Sequence, residues 1–149
     1  MGICQSKNDL DKYDDSLELF SLDKNIVDVK IVRVYDGDTC FGVFLLQNRP
    51  VKYKIRMFGY DSPEMKPLLK TPNRDKEIIA AHKAKQELEK LVLNKIVKLE
   101  CGKWDKYGRL LGKLYINYGT KKQIDVNNHM VVNGFGYEYK GGTKKVIEY

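Results

Sequence analysis

Residues 26–58 hold little besides strand-forming side chains and turn formers, and that run constrains the fold more than any other part of the chain. Ile26 to Tyr35 is rich in β-branched residues, which favour a pleated surface. Val27, Val29 and Ile31 alternate with Asp28 and Lys30, the period of a half-buried strand. The alternation slips one place at Ile31-Val32, and a slip of that kind predicts a β-bulge. Asp36-Gly37-Asp38 supplies turn residues. Thr39 to Leu46 reads as a second strand, Gln47-Asn48-Arg49-Pro50 as a hairpin loop, and Val51 to Phe58 as a third strand. Three strands joined by short turns make an antiparallel meander.

A polar loop with Pro63, Pro67 and Pro72 follows. Asp75 to Leu93 then reads as a helix, because Ala81, Ala84, Leu88, Leu91 and Val92 fall on one face at helical spacing. Ile96, Val97 and Leu99 begin a fourth strand, and Leu110 to Ile116 is a fifth, ending at Asn117-Tyr118-Gly119. A short helix over Ile124 to Asn133 closes at Gly134. Five strands with a helix after the third is the order of an OB-type barrel. An α+β fold is therefore expected, a five-stranded OB-fold β-barrel with two or three flanking helices, although propensity alone leaves other α+β folds open. At 149 residues the chain has room for one domain, expected over 24–149 behind a flexible segment, 1–23.

The charge balance bears on partners. Lysine and arginine number 27 against 20 acids, a net charge of +7. Asp9, Asp11, Asp14, Asp15, Glu18 and Asp23 crowd the N-terminal stretch, so the body of the chain is more basic than the average. A basic surface suits nucleic acid, anionic lipid or an acidic protein. Cys4, Cys40 and Cys101 are odd in number and show no CxxC spacing, which argues against a disulfide framework or a zinc site. The chain reads as intracellular and reduced, with Cys40 and Cys101 as core packing.

The chain opens Met-Gly-Ile-Cys-Gln-Ser, which fits the N-myristoylation pattern with Gly2 as acceptor and Ser6 in the selective position. Cys4 is placed to take a palmitoyl chain. One acyl chain binds membrane marginally, whereas two anchor stably. No stretch of about 18 apolar residues exists to span a bilayer. The expectation is a membrane-associated protein on the cytosolic face, in a eukaryotic cell or a virus infecting one.

Three clusters carry chemistry. They are Asp36-Gly37-Asp38-Thr39, Arg56 through Asp61-Ser62-Pro63-Glu64, and Asp105-Lys106-Tyr107-Gly108-Arg109. Singly, each reads as a turn, a surface ion network or a solvated loop. Together they supply what phosphodiester cleavage needs. Arg56 and Arg109 are planar forks that match phosphate oxygens. Asp38 and Asp61 offer carboxylates to a hard divalent ion. Glu64 is left to orient or deprotonate water. His82 and His129 read as surface or partly packed residues, and Trp104 as loop packing.

In order and spacing these clusters resemble the staphylococcal-nuclease family, from about Val29 to Lys140. The shared motifs are D-G-D-T, R-x-x-x-x-D-[TS]-P-E and D-K-Y-G-R. The resemblance implies an OB-fold barrel and Ca²⁺-dependent hydrolysis of DNA and RNA that leaves 3′-phosphate ends. It implies that Asp38 and Asp61 bind Ca²⁺ through carboxylates and Ser62 through its carbonyl. Arg56 and Arg109 would grip the scissile phosphate, with Glu64 as general base or water-orienting group. Lys106, Tyr107 and Tyr137 would hold the rest of the nucleotide. Ser62 departs from the usual threonine, and the proline-bearing loop after Glu64 differs. The chain ends ten residues after Tyr139, so the family's C-terminal helix is expected to be absent or reduced. The leading expectation is a monomeric, membrane-tethered Ca²⁺ nuclease. The alternatives are a catalytically weak OB-fold nucleic-acid-binding module and a lipid-anchored scaffold with a membrane-binding basic face.

Overall fold

The structure, a computed structural model, describes residues 10–145 and 147. Gly2, Cys4 and Ser6 lie outside the described residues. The three predicted strands form as β1 (Ile26–Asp36), β2 (Thr39–Leu46) and β3 (Arg49–Met57), paired antiparallel in sequence order. They are followed by β4 (Tyr60–Asp61), α1 (Arg74–Val92), β5 (Ile96–Trp104), β6 (Leu110–Ile116), β7 (Ile124–Asp125), α2 (Val126–Val132) and β8 (Tyr137–Glu138).

The sheet runs β3-β2-β1-β5-β6 and closes on itself, because β6 also pairs in parallel with β3 at Ile55–Leu110, Arg56–Leu111 and Met57–Gly112. Closure removes the free edges that an open sheet exposes. The result is the expected α+β architecture, an OB-fold barrel with two helices among the described residues. β1 makes the corner. Its first half pairs with β5 and its second half with β2, and the register slips between Ile31 and Arg33. Val32 is thus the extra residue of a bulge, which bends the strand. The bulge also sets which residues enter the core. Ile31 and Val34 are buried, while Arg33 and Tyr35 turn outward.

Two local features differ from the sequence reading. The β2–β3 hairpin needs no four-residue loop, because Leu46 pairs directly with Arg49. Gln47 and Asn48 both adopt positive φ, 49° and 62°, as a tight two-residue hairpin turn requires. Arg49 and Pro50 are strand, and Pro50 sits where β3 has only β2 as a neighbour, so its missing N–H leaves the ladder intact. The second helix starts at Val126, because Ile124 and Asp125 first pair with β6. Asp125 caps α2 by accepting the Asn128 amide at 3.0 Å. The helix ends in a Schellman motif: Phe135 N–H donates to Met130 O at 2.8 Å and Gly134, at φ 76°, donates to Val131 O at 3.1 Å.

The core fills the barrel with Val29, Ile31, Phe44, Ile55, Met57, Leu99, Leu110 and Leu114. Full burial of each large aliphatic contributes roughly 1.5–3 kcal/mol. Cys40 and Cys101 are free and buried there, as expected. α1 lays Ala81, Ala84, Leu88 and Val92 onto the barrel, and Asn94, just past its end, donates to Ile31 O at 2.8 Å. Leu22 joins the core, and Lys24 N–H donates to Cys101 O at 2.8 Å. No helix among the described residues is long and apolar enough to cross a membrane. Among the described residues no helix follows β8.

Asn127 fastens α2 to the barrel. Its carbonyl accepts Leu114 N–H at 3.1 Å, and its amide donates to Phe58 O at 2.9 Å and Gly112 O at 3.1 Å. It is buried, and it ties the end of β3 to β6 beside the loop that carries Asp61. Removing it leaves buried backbone groups without partners. Asn127→Ala should therefore cost about 3 kcal/mol, read as a lower urea midpoint at unchanged m value.

Candidate active site

Along β3, Ile55 and Met57 face the barrel core and Arg56 alternates to the outside. There Arg56 is covered by the chain that follows. It is only 8% exposed. Nη1 donates to Met57 O at 2.7 Å and Tyr60 O at 2.8 Å. Nη2 bonds Asp61 Oδ1, and Nε lies 3.5 Å from Asp38 Oδ1. One guanidinium thus holds both aspartates and the backbone between them.

Asp38 sits on the turn between β1 and β2. Its Oδ1 accepts the Thr39 hydroxyl at 3.0 Å, and its Oδ2 accepts the Ser62 amide at 2.7 Å and hydroxyl at 3.0 Å. A threonine at 62 would offer the same two donors. The turn must be glycine at 37 for reasons of space. A Cβ there would stand 2.7 Å from both Ala84 Cβ and Ser62 Cβ. Tyr60, fully buried, completes the lock by donating its hydroxyl to Gly37 O at 2.8 Å. Burial and the neighbouring Asp38 carboxylate push the Asp36 carboxyl up to about 6.

Asp61 is paired on both oxygens. Tyr137, on β8, donates its hydroxyl to Oδ2 at 3.2 Å, and the Lys144 ammonium lies 3.4 Å from the same atom. Lys144 also donates to Glu64 Oε1 at 2.5 Å. Burial works against its charge, but the Glu64 bond and the Asp61 carboxylate prevail and hold its pKa well above the ordinary lysine value. No local pattern marks this lysine, which reaches back 80 positions to Glu64.

The third cluster forms the opposite wall. Asp105 Oδ1 accepts the Tyr107 and Arg109 amides at 2.8 and 2.9 Å, and Oδ2 accepts Arg109 Nε at 2.6 Å. Burial raises the Asp105 carboxyl, but these bonds outweigh it and hold it below the usual range. With Nε engaged, the guanidinium is fixed in direction. Tyr107 is 71% exposed, with the Lys106 ammonium 5.1 Å and the Arg109 guanidinium 5.4 Å from its ring centre.

All three clusters open onto one cleft of about 690 Å³. Asp38, Arg56, Asp61, Ser62, Glu64, Lys106, Tyr107 and Arg109 all line it. Tyr137 reaches it through Asp61. The other residues weighed from sequence lie elsewhere. His129 bonds Glu87 at 2.8 Å and so ties α2 to α1, and Trp104 packs on Tyr53 with ring centres 5.0 Å apart.

Among the described residues no group of three or more His, Cys, Asp and Glu side chains gathers as a metal cage. The donors at the cleft floor are nonetheless of one kind. Two carboxylates and the Ser62 backbone suit a hard, oxygen-seeking cation that keeps water in its shell. Positive charge already fits the spot, since Lys144 lies between Asp61 and Glu64.

The family described as Staphylococcal nuclease homologue matches residues 54–148. An uncharacterized protein of Methanocaldococcus jannaschii is 34% identical over 125 residues, covering 74% of this chain and 58% of that one. An uncharacterized 38.1 kDa protein of Capnoides sempervirens is 33% identical over 131 residues, covering 88% of this chain and 32% of that one. A probable staphylococcal-like nuclease, CAN3, of Oryza sativa subsp. japonica is 29% identical over 94 residues, covering 63% of this chain and 21% of that one. The chain spans less than two thirds of the length of each of these relatives.

Arg56 is the group whose loss should be felt most in the fold of the site. Arg56→Ala takes the guanidinium away from two buried carboxylates, Asp38 and Asp61. It should lower unfolding free energy by about 3–5 kcal/mol, measured by chemical denaturation, and an unchanged stability would refute this structural role.

Proposed function

This chain belongs to the staphylococcal nuclease family, whose domain acts on or binds nucleic acid, and from that premise we propose that it is an active calcium-dependent nuclease cleaving DNA and RNA to 3′-phosphate ends. The observation that carries the reading is convergence. Two arginines and three carboxylates from three separated segments, Arg56, Arg109, Asp38, Asp61 and Glu64, line a single cleft. The rice relative's printed name, a probable staphylococcal-like nuclease, points the same way.

Asp38, Asp61 and the Ser62 carbonyl would hold calcium. When bound, the ion supplies positive charge beside a phosphate oxygen. Glu64 takes a proton from water as the water oxygen attacks phosphorus. The bond from phosphorus to the 5′ oxygen breaks, that oxygen takes a proton from solvent water and leaves as a hydroxyl, and the phosphate stays on the 3′ side. Arg109 faces the phosphate as a fork already aimed by Asp105, and Arg56 offsets charge developing on its oxygens. Lys106 and Tyr107 steady the adjoining nucleotide, and Tyr137 steadies Asp61. Lys144 must release Glu64 before that carboxylate can act as a base.

Cleavage of single-stranded DNA should appear with Ca²⁺ and vanish with a chelator. Glu64→Gln should lower turnover about 10²–10⁴-fold while leaving substrate affinity nearly intact. The hold of Lys144 on Asp61 and Glu64 favours a second reading, a module that binds without cutting. A folded protein that binds the strand and never cleaves it in Ca²⁺ would establish that one instead.

We further propose that the protein is tethered to the cytosolic face of a membrane through acyl chains on Gly2 and Cys4, in a eukaryotic cell or a virus infecting one, and works as a monomer. The motif and the two-chain requirement for stable anchoring support this. Gly2→Ala should abolish incorporation of a labelled myristate analogue and move the protein from the membrane to the soluble fraction. Retention of the variant on membranes would refute the tether.

A further inference from the structure

The chain leaves the rim of the cleft at Glu64 and does not enter α1 until Arg74. None of residues 65–73 lines the cleft. The tip of this loop is apolar. Leu68 is 81% exposed and Leu69 is 88% exposed. A scattered exposed leucine is ordinary on a protein surface. Here two stand side by side, far from the burial that makes such side chains stabilising.

The backbone holds them in that position. Thr71 N–H donates to Leu68 O at 2.9 Å and closes a turn with Leu69 and Lys70 at its centre. Pro67 is buried beside the turn, and Arg74 Nε donates to its carbonyl at 3.2 Å. The Glu64 amide donates to Glu77 Oε1 at 3.2 Å. Both ends of the loop are thus fastened to α1, and little ordering remains to be done on contact.

The leucines are flanked by one sign of charge. From Met65 to Arg74 the loop carries Lys66, Lys70 and Arg74 and no acid. Lys66 and Lys70 are exposed on either side of the pair, and among the described residues neither forms a salt bridge. The nearest acids in sequence lie at the base of the loop. Glu64 is held by Lys144, and Asp75 and Glu77 sit in the first turn of α1, where the helix dipole favours them.

We propose that this loop is a membrane-docking tip, with Leu68 and Leu69 entering the acyl boundary of an anionic bilayer and Lys66 and Lys70 lying at its headgroups. The occupant follows from the size and chemistry of the tip. A stable protein interface takes roughly 20–30 residues a side, and this tip offers two leucines and two lysines. A bilayer takes in side chains singly and rewards each by the carbon atoms it buries. Flanking lysines keep their ammonium groups at the surface while their stems follow the leucines inward, and anionic lipid attracts them. Because the loop springs from Glu64, docking sets the rim of the cleft beside the bilayer. The inference goes beyond the acyl tether and the nuclease reading and needs neither, so it is tested on the full chain without acyl groups and by a measurement that reads no cleavage.

Leu68→Ser with Leu69→Ser makes one variant, Lys66→Gln with Lys70→Gln a second, and Leu69→Trp a third that reports depth. Binding to phosphatidylcholine vesicles with and without phosphatidylserine is measured by co-sedimentation, and urea midpoints check folding. The midpoints should match the parent's, since changes at exposed sites are usually neutral. The leucine-pair variant should bind phosphatidylserine vesicles at least about tenfold more weakly. The lysine-pair variant should also lose about tenfold or more, since each lysine near an anionic surface contributes about fivefold. That second loss should shrink at high salt and on phosphatidylcholine alone. The Leu69→Trp emission should shift to the blue on vesicles and be quenched by lipids brominated in their acyl chains. A parent that does not bind phosphatidylserine vesicles overturns the proposal. So does a leucine-pair variant that binds them within about twofold of the parent, or a tryptophan emission that vesicles leave unchanged. If the leucine-pair variant fails to fold, the tryptophan depth measurement decides alone. Loss of a concentration-dependent dimer, or of single-strand affinity, with vesicle binding intact also overturns it and assigns the leucines to a second copy of the chain or to nucleic acid.

Discussion

The cleft depends on one buried guanidinium. Arg56 leaves a strand whose neighbours are core residues and enters a pocket of backbone carbonyls and aspartates. A charge held there must be paired or it destabilises the fold. The pairing dictates much of the local geometry. It fixes Asp61 on its loop, and it draws Asp38 close enough for Ser62 to reach across by both amide and hydroxyl. The Tyr60 hydroxyl and the absent side chain at Gly37 then let the loop and the turn approach closely. Residues assigned to chemistry are therefore also what holds the loop to the barrel.

That arrangement explains how four acids share one small region. Asp38 is satisfied by three hydrogen-bond donors and lies beside Arg56. Asp61 has Arg56 on one oxygen and Lys144 with Tyr137 on the other. Glu64 has Lys144. Asp36, with no cation of its own, responds by a raised pKa instead. Each carboxylate thus has its compensation inside the protein. The compensation has a chemical consequence. Any cation that binds Asp61 competes with an ammonium already there, so Lys144 would set a threshold on occupancy of the site.

Much of this was legible in the sequence, because it is carried by local periodicity. The slip at Ile31-Val32 marked the bulge, and the spacing of Ala81, Ala84, Leu88 and Val92 marked the buried stripe of α1. The three charged clusters were visible as clusters, and their meeting at one cleft follows from barrel topology. What escaped was non-local or too short to carry a period. Lys144 meets Glu64 across 80 residues, and Asn127 meets Phe58 across 69. β4 and β8 are two residues each, below any alternation that could be counted. The turn at Gln47-Asn48 adopts the conformation usually taken by Asn-Gly, without the glycine that would have announced it.

Strand alternation then joins two surfaces that would otherwise need separate explanations. On β2 and β3 every second residue builds the core, and the residues between build the outer face. Hydrophobic packing fixes the first set, and register fixes the second with it, since a one-residue slip would exchange the two. The order Arg56, Lys54, Lys52 on the outside is therefore specified by Ile55, Tyr53 and their neighbours on the inside. β1 cannot follow the same rule along its whole length, because it must bend from β5 to β2. Its bulge resolves the bend and, in the same residue, turns Arg33 to the side where the other cations stand. The corner that bends β1 is also what adds Arg33 to the cations of the outer face.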